Sequence, residues 1–307
     1  MNQVIIVGAG VTGLACARRL SDAGVPVIVL DKGRGIGGRM ATRRTDGPSF
    51  DHGAQYVSAK GEGFAKVLAD LTGAGHAAAW HNGIVGVPGM SALAKALGAG
   101  VPVQQNMQVT ALVPQDGGWQ VQVGETRLAA RQVIVTVPAP QLADLLGADH
   151  RLVAQIAHVT YAPNLTLMAA IDGPAPFVTA QDPAADLAWI AQDSSKPARP
   201  QGVTAWVAQA SAGFSQQHLE LDKGAIADLM LPLLLDRLGA SADQVRYVSA
   251  HRWRYAFVTQ ALGQRFLRSD DATLYLGGDW CLGARVEDAW TSGRAIADDV
   301  LGQSDAQ

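Results

Sequence analysis

The sequence of 307 residues lacks the features of a disulfide-stabilised, metal-binding or membrane-spanning protein. Its two cysteines, Cys16 and Cys281, form no CxxC motif, which gives no metal-site signal and suits a reducing compartment. No apolar run approaches the roughly 20 residues of a membrane helix. The first residues also lack the basic and long apolar regions of a signal peptide. We therefore expect a cytoplasmic protein with no metal and no membrane contact.

Clustered positive charge is absent as well. The net charge is −3 and no stripe or tail of lysine and arginine occurs, so a nucleic-acid partner is not expected. Hydrophobic residues make up 48% of the chain, which is enough to bury a full core and argues against disorder. The length suits one large or two ordinary domains.

The first thirty residues contain a GxGxxG motif in a specific context. A β-branched run at residues 4–7 leads directly into Gly8, Gly10 and Gly13, and residues 14–23 have helical composition. A second apolar run at residues 27–30 ends at Asp31. Strand, glycine turn, helix, strand and acid in this order are typical of a Rossmann dinucleotide-binding unit. An ordinary glycine turn between a strand and a helix is the alternative.

Each of these residues has a separate expected role. Gly8 makes the tight turn, Gly10 lets the backbone approach a pyrophosphate, and Gly13 lets helix and strand pack closely. The helix N-terminus offers unpaired N–H groups and partial positive charge. Asp31 can accept hydrogen bonds from a ribose diol, and an acid there disfavours the 2′-phosphate of NADP.

Two further motifs point to a flavin. Residues 37–40 read GGRM, in which Arg39 can bind a phosphate bidentately, and residues 51–56 read DHGAQY. GxGxxG, the acid, GGRM and DxGAQY in this order resemble the flavin-containing amine oxidase superfamily. Within it, Arg39-Met40, residues 50–56 and two later segments are most similar to bacterial renalase-like FAD-dependent oxidoreductases.

The resemblance extends along the chain. Residues 87–90 (VPGM) resemble a superfamily segment that starts a helix, and residues 108–130 alternate as in its β-meander. Residues 132–138 resemble the strand that returns towards the cofactor and ends at Pro138. Residues 277–280 (GGDW) and a helix over 286–301 resemble the superfamily's last motif, in which the helix N-terminus faces the flavin. Asp279 as a helix-entry cap and Cys281 as a small apolar filler are the plainer interpretations.

Residues 251–256 (HRWRYA) resemble a renalase-like motif. In a strand, His251, Trp253 and Tyr255 lie on one face and the two arginines lie on the other. A substrate-pocket wall and a plain core strand with solvated arginines are both open interpretations.

We expect an α/β protein with a discontinuous Rossmann-type FAD-binding domain that includes the β-meander, and an α+β substrate domain. The FAD-binding domain is placed at 1–60, 86–150 and 268–307, and the substrate domain at 61–85 and 151–267. In the latter, the Pro-rich segment 194–202 is predicted to be a surface loop and 222–238 an amphipathic helix.

The motifs and the resemblance imply the following site, in which no residue acts as an acid or base. The substrate pocket contains Gln55, Tyr56, His251, Trp253 and Tyr255. The contacts to FAD come from Gly8, Gly10, Val11, Thr12, Gly13, Asp31, Lys32, Gly38, Arg39, Met40, Ala54, Gln55, Val109, Pro138, Gly278, Asp279, Arg285 and Val286.

The chain also departs from its relatives. Segment 61–85 is short, and the last lysine is Lys223, so the lysine that many amine oxidases place near flavin N5 is missing. Three hypotheses stay open: a renalase-like oxidase of dihydronicotinamide isomers that passes electrons to O2, an oxidase or dehydrogenase of small amines, and a non-catalytic FAD-binding sensor. The missing lysine favours the first over the second.

We predict that the purified protein is yellow and that acid or heat releases FAD, because no cysteine motif for a covalent flavin link is present. Absorbance and chromatography of the supernatant after denaturation test this. Flavin that stays with the denatured chain would contradict non-covalent binding, and FMN in place of FAD would contradict the role of Asp31.

Overall fold

The structure is a computed structural model in which residues 3–81 and 83–302 are described. Its strands are β1 Val4–Val7, β2 Val27–Leu30, β3 Thr42–Arg44, β4 Ser49–Asp51, β5 Ala77–Trp80, β6 Gly83–Gly86, β7 Val103–Gln104, β8 Val109–Gln115, β9 Gly118–Val123, β10 Thr126–Ala130, β11 Gln132–Val135, β12 Thr160–Ile171, β13 Thr179–Gln181, β14 Leu187–Gln192, β15 Thr204–Ala210, β16 Val245–Gln260, β17 Leu267–Arg268 and β18 Leu274–Leu276. Its helices are α1 Val11–Asp22, α2 Glu62–Gly73, α3 Met90–Leu97, α4 Leu142–Leu146, α5 Arg151–Gln155, α6 Ala212–Gln217, α7 Lys223–Leu238 and α8 Val286–Val300. Short 3-10 turns include Gly38–Met40, Asp193–Ser195 and Asp279–Cys281.

The first sheet is the predicted Rossmann-type sheet, with the strand order β17-β18-β11-β1-β2-β7. Its strands are parallel except for β17. All four residues of β1 are buried, as expected for a strand that is covered on both faces. Helices α1 and α8 pack so closely at Gly293 that a Cβ added there would lie 2.2 Å from the carbonyl oxygen of Thr12.

The β-meander is also present, with the order β10-β9-β8. Its first hairpin turns at Gly117, whose φ of +80° suits glycine. The predicted α/β fold class is therefore confirmed.

A second, antiparallel sheet has the order β13-β14-β15-β12-β16. One face packs on α7, where Leu167 and Ala208 meet Ile226 in a common core. The opposite face carries a row of four side chains that are neighbours in register on adjacent strands. The row consists of Trp189, Gln209, Thr166 and His251. Gln209 donates a hydrogen bond to the Gly53 carbonyl at 2.8 Å, so this face looks towards the segment that follows β4.

The helices expected from the sequence form close to their predicted bounds. Asp222 caps α7, because its carboxylate accepts hydrogen bonds from the N–H groups of Gly224 and Ala225 at 2.8 and 3.0 Å. α3 begins at Met90, directly after the VPG sequence, and α8 begins at Val286.

The prediction that 194–202 is a surface loop is wrong for its charged residues. The side chains of Lys196 and Arg199 are 0% and 1% exposed. Lys196 Nζ lies 2.6 Å from Asp193 Oδ1 and 3.1 Å from Asp51 Oδ2, and Arg199 pairs with the same two carboxylates. The composition of the segment indicated a loop but could not show that its charged side chains pair with Asp51 and Asp193. Each buried charge here is matched by an opposite one. These four residues are called the ion cluster below.

Asp51 connects the ion cluster to two other elements. Its Oδ1 accepts hydrogen bonds from the Thr42 hydroxyl at 2.7 Å and from the Met90 N–H at 2.9 Å. Burial on its own would raise the pKa of Asp51, but Lys196 and Arg199 lower it below the ordinary value. The cluster thereby fixes the β3–β4 hairpin, the start of α3 and the loop after β14 against one another.

Segment 61–85, which the sequence analysis assigns to the substrate domain, packs with the first sheet. Phe64, Leu68 and Trp80 share a core with residues of α1 and α8. The N–H groups of Lys60 and Gly61 donate to Glu287 at 2.8 and 2.7 Å. The division into domains stays a prediction. The contacts listed here disfavour the assignment of segment 61–85 to the substrate domain.

We predict that Lys196→Met destabilises the protein by about 3–5 kcal/mol, because the two buried carboxylates of Asp51 and Asp193 are then left with Arg199 as their one cation in the ion cluster. Lys66→Met, which removes an exposed pair with Asp70, should leave stability within error. Urea unfolding of both variants measures the difference. Equal midpoints for the two variants would contradict the role given to the ion cluster.

Candidate active site

The predicted cofactor residues converge at one edge of the first sheet. Gly8 follows β1, Asp31 follows β2, Pro138 follows β11 and Gly278 follows β18, and these four strands are adjacent and parallel. Ligands of such sheets bind outside the carboxyl ends of the strands. The motifs, which are up to 270 residues apart in the sequence (278 − 8), therefore meet in space.

The glycine turn leaves an open approach to the N-terminus of α1 at Gly10. A Cβ at Gly13 would lie 2.0 Å from the Gly8 carbonyl oxygen, and Gly8 itself has a φ of +107°, so neither position tolerates a side chain. A Cβ at Gly10, in contrast, would meet nothing within 4 Å. Gly10 is the N-cap of α1 and no side chain caps that end. The first N–H groups of α1, including those of Val11 and Thr12, are therefore suited to bind a phosphate.

Asp31 has a structural role that the sequence did not indicate. Its two carboxylate oxygens accept hydrogen bonds from the N–H groups of Ala9 and Gly33, each at 2.6 Å. The carboxylate thus fixes the glycine turn, and each oxygen keeps a lone pair for a ribose hydroxyl. The ribose contact stays a prediction. Lys32 beside it is exposed, and its Nζ lies 3.4 Å from Gln141 Oε1.

Arg39 joins three parts of the site. Its guanidinium donates to Asp279 Oδ1 at 2.6 Å and to the carbonyls of Tyr255 and Ala256 at 3.3 and 3.0 Å. Burial opposes its charge, but the Asp279 carboxylate raises the pKa of Arg39 above its ordinary value. The two residues expected to contact FAD phosphate and ribityl groups therefore contact each other, and their contacts with FAD stay predictions.

The two plainer interpretations of the last motif have different outcomes. Asp279 does not cap α8: the N-cap residue of α8 is Arg285, whose N–H donates to Asp288 Oδ2 at 3.0 Å, and Asp279 Oδ1 accepts from Arg39 instead. Cys281 is a buried apolar filler, as that interpretation states, and burial raises the pKa of its thiol to about 12.

The remaining predicted cofactor residues lie around this edge. Gly38 lies against Gly10: a Cβ added at Gly38 would be 3.4 Å from the Gly10 Cα. Met40 and Val109 are buried, and Val286 is the first residue of α8.

The segment after Asp51 runs against the GGRM turn. The Ala54 N–H donates to the Arg39 carbonyl at 2.8 Å, and a Cβ at Gly53 would lie 1.9 Å from that oxygen, so only glycine fits. The amide of Gln55 donates to the Asp51 and Gly53 carbonyls and lies 3.4 Å from Lys196 Nζ. Gln55 is thus turned into the protein, an orientation that does not favour its predicted pocket role.

His52, His251 and Trp253 form an aromatic cluster above this segment. The His52 ring lies 4.8 Å from His251 and stacks 5.4 Å from Trp253, and the last two rings are 4.3 Å apart. The Trp253 N–H donates to the His52 carbonyl at 2.7 Å. Further along, Tyr255 contacts Tyr161 at 5.5 Å.

Of the two arginines of the HRWRYA motif, Arg254 is exposed, as the core-strand interpretation states, whereas Arg252 is half-buried. Arg252 donates to the carbonyls of Leu219 and Leu221 at 2.7 and 3.1 Å, and Arg254 pairs with Glu220 at 2.7 Å. They hold the turn before α7 against β16.

Both histidines of the cluster are neutral near neutral pH. Burial, then Arg43, lowers the pKa of His52 from 6.5 to about 4, with Lys223 adding to the effect while Asp51 and a hydrogen bond to the Phe50 carbonyl oppose it. Burial, then His52 and Lys223, lowers the pKa of His251 to about 3, with Arg43 and Arg252 acting in the same direction. Both Nδ1 atoms are buried without a hydrogen-bond partner in the described residues.

Sequence reasoning missed several residues of this region. Trp189, Gln209 and Thr166 belong to the row beside His251, and Trp189 lies 6.0 Å from Tyr56. They come from three strands and form no motif, so only the strand register could have identified them. Among the described residues the Trp189 N–H is buried and has no hydrogen-bond partner.

Comparison with known families identifies the class of protein. A model for an NAD(P)-binding Rossmann-like domain matches residues 6–71, and the model for flavin containing amine oxidoreductases matches residues 73–301. The second match covers well over half of the chain, which therefore belongs to the flavin-containing amine oxidoreductase family. The protein is an FAD-dependent oxidoreductase.

Solved structures share the fold. A protein assigned as a protoporphyrinogen oxidase from Exiguobacterium sp. 255-15 superimposes with a TM-score of 0.72 at 14% identity, covering 97% of this chain and 98% of that one. Putrescine oxidase bound to putrescine gives 0.68 at 16% identity, with 98% and 99% covered. At these identities the likeness concerns the fold alone.

A shorter likeness links the chain to a curated enzyme. It is 42% identical over 55 residues to the 4,4'-diapophytoene desaturase (4,4'-diaponeurosporene-forming) of Staphylococcus aureus strain Newman. That stretch is 18% of this chain and only 11% of the desaturase. In the part of the chain that the structure describes, no helix has both the length and the apolar character to cross a membrane.

We predict that the two buried histidines make the fold sensitive to mild acid. Unfolded histidine takes up a proton near pH 6.5, whereas the folded pKa values are about 4 and 3. Stability is therefore complete above pH 6.5 and falls as the pH drops towards 4, because the unfolded chain binds more protons. The double variant His52→Gln, His251→Gln should flatten this fall.

Urea unfolding at pH 7.5, 6.0 and 5.0 measures the effect, with exposed His76→Gln as the control. A double variant that keeps the slope of wild type would show that these histidines are not held neutral. The depressed pKa of Asp51 acts only below its ordinary value of 3.8 and does not interfere in this range.

Proposed function

We propose that the chain is a renalase-like oxidase that takes a hydride from a dihydronicotinamide ring. The observation that carries the proposal is the charge around the aromatic cluster. His52 and His251 are neutral, and the cations that act on both of them are Arg43 and Lys223. This positive field disfavours a cationic amine and suits a substrate that carries phosphate.

The fit of the chain to FAD supports the chemistry. The glycine turn, the N-terminus of α1 and Asp31 would hold the pyrophosphate and ribose, and the N-terminus of α8 would face the flavin ring. FAD held there would supply a two-electron acceptor for the hydride, and O2 would then take up the two electrons, the proton that the hydride carried and one proton from solvent to give hydrogen peroxide. The substrate leaves as the aromatic nicotinamide cation.

No proton has to leave the reacting carbon in this reaction. The chain therefore needs only to position the ring and to exclude water, which is the contribution of flat, uncharged groups. Trp253, Tyr56 and Trp189 offer such surfaces beside neutral histidines. Oxidation of an amine, in contrast, begins with deprotonation of the substrate.

Three further parts of the proposal concern the cofactor and the setting. We propose that FAD is bound non-covalently, since Cys16 and Cys281 are both fully buried and burial raises the pKa of each thiol. We also propose O2 as the electron acceptor and the cytoplasm as the location. The latter rests on the cysteine content.

We predict that His251→Ala lowers the rate of flavin reduction about tenfold or less, well short of the roughly 10²–10⁴-fold effect of losing a general base. Trp253→Ala should weaken substrate binding more than His251→Ala does, because it removes a stacking surface. Anaerobic stopped-flow reduction with dihydronicotinamide isomers across pH measures both.

A panel of small amines serves as the comparison in the same experiment. A thousandfold loss in His251→Ala, or a pH dependence that follows the pKa of an amine substrate, would replace this mechanism by amine oxidation. A flavin that neither class of substrate reduces would indicate a non-catalytic role.

A further inference from the structure

Strand β16 is irregular beside the candidate active site. Ala162 of β12 pairs with Phe257, and the next pair that the two strands form joins Asn164 to Trp253. One residue of β12 therefore lies opposite three residues of β16, which is a bulge. The one residue is Pro163, which has no N–H to donate to the neighbouring strand. The carbonyls of the bulged segment consequently need donors from outside the sheet.

The side chain of Arg39 supplies these donors. Its Nη1 donates to the carbonyls of Tyr255 and Ala256 at 3.3 and 3.0 Å, and both residues belong to the bulge. Its Nη2 donates to Asp279 Oδ1 at 2.6 Å, and the Asp279 side chain is only 6% exposed. One nitrogen of the guanidinium thus holds β16, while the other is anchored by a buried carboxylate.

The guanidinium keeps two N–H groups for a further ligand. It has five in all, of which Nη1 uses two and Nη2 uses one. The Nε–H and the second Nη2–H have no partner in residues 3–81 and 83–302, and the side chain is 32% exposed. These two groups form a fork that suits a phosphate. The predicted contact of Arg39 with the FAD phosphate would therefore leave its bonds to β16 in place.

Arg39 also holds the segment on the other side of the predicted pocket. Its carbonyl accepts from the Ala54 N–H at 2.8 Å. On the β16 side, the bulge sets the position of Tyr255, whose ring meets Tyr161 at 5.5 Å. One residue of the cofactor turn therefore contacts both the segment after Asp51 and the strand that carries the HRWRYA motif.

We propose that Arg39 is a positioning residue for the substrate pocket, which ties the bulge of β16 to the bound cofactor so that the shape of this pocket wall depends on FAD. The inference goes beyond the proposed function, because it applies to any substrate that β16 contacts. Lysine at position 39 keeps the charge and leaves the main-chain bond to Ala54 in place. It presents its donors at a single point, however, and cannot reach Asp279, two carbonyls and a phosphate at once.

Hydrogen exchange of the amides in residues 253–258 tests the inference without a substrate. Mass spectrometry follows this exchange in wild type, Arg39→Lys and Arg246→Lys while FAD is titrated to saturation. Arg246→Lys is the matched control, because Arg246 lies near the opposite end of β16, where it pairs with Asp172 and donates to the Asp243 carbonyl at 3.0 Å.

At saturating FAD we expect the segment to exchange roughly 10- to 100-fold faster in Arg39→Lys than in wild type, the usual effect of losing hydrogen bonds to a charged group. FAD should slow this exchange in wild type and in Arg246→Lys, but not in Arg39→Lys. Asp279→Asn keeps the bonds of Arg39 to β16 and loosens their anchor. It should therefore change exchange in the same direction by less, and it decides the question if Arg39→Lys does not fold.

Substrate binding gives a second readout. With dihydronicotinamide mononucleotide as the probe and FAD at saturation, Arg39→Lys should raise the dissociation constant about tenfold and leave the limiting rate of flavin reduction unchanged. Anaerobic stopped-flow measurements separate these two quantities. Arg246→Lys should match wild type in both.

The outcomes distinguish this inference from the proposed function. If Arg39→Lys regains wild-type exchange and binding once it is saturated with FAD, Arg39 acts on the cofactor alone and the inference is wrong. Equal effects of Arg39→Lys and Arg246→Lys would indicate a general loosening of β16 and would also overturn it. If the probe does not reduce the flavin of wild type, the proposed function fails, while hydrogen exchange still decides the role of Arg39.

Discussion

Asp51 is buried away from water, and its negative charge is tolerated because Lys196 and Arg199 lie against it. The same carboxylate accepts from Thr42 and from the start of α3. The residues that follow it, from His52 to Gln55, include the groups closest to the candidate active site. The second sheet, the Rossmann region and the site between them therefore share one electrostatic anchor, and the geometry of the aromatic cluster depends on it.

The Rossmann unit could be predicted from the sequence because its requirements are local. Gly8 is dictated by its own φ of +107° and Gly13 by the carbonyl oxygen of Gly8, and the apolar runs of β1 and β2 are continuous. The common face of His251 and Trp253 also follows from strand periodicity, whereas Tyr255 lies where the pairing of β16 with β12 is irregular. Lys196 could not be assigned in this way, because a charged residue in a Pro-rich segment looks like surface until its partners are known.

The row of Trp189, Gln209 and Thr166 could not be predicted from the sequence for a different reason. These residues come together through the pairing register of β14, β15, β12 and β16, which no local pattern encodes. Asp279 shows the same limit. Its motif was recognisable, but its partner Arg39 is 240 residues away, and only the fold reveals that each of these charges is matched by the other.

The contact between α1 and α8 at Gly293 has a consequence for biosynthesis. Residues 4–31 leave the ribosome long before residues 274–300, yet β18, Asp279 and α8 complete the edge at which β1 and β2 present their turns. Domains generally fold as units once their residues are available. A nascent chain therefore has no finished dinucleotide cleft until residues 274–300 have been synthesised.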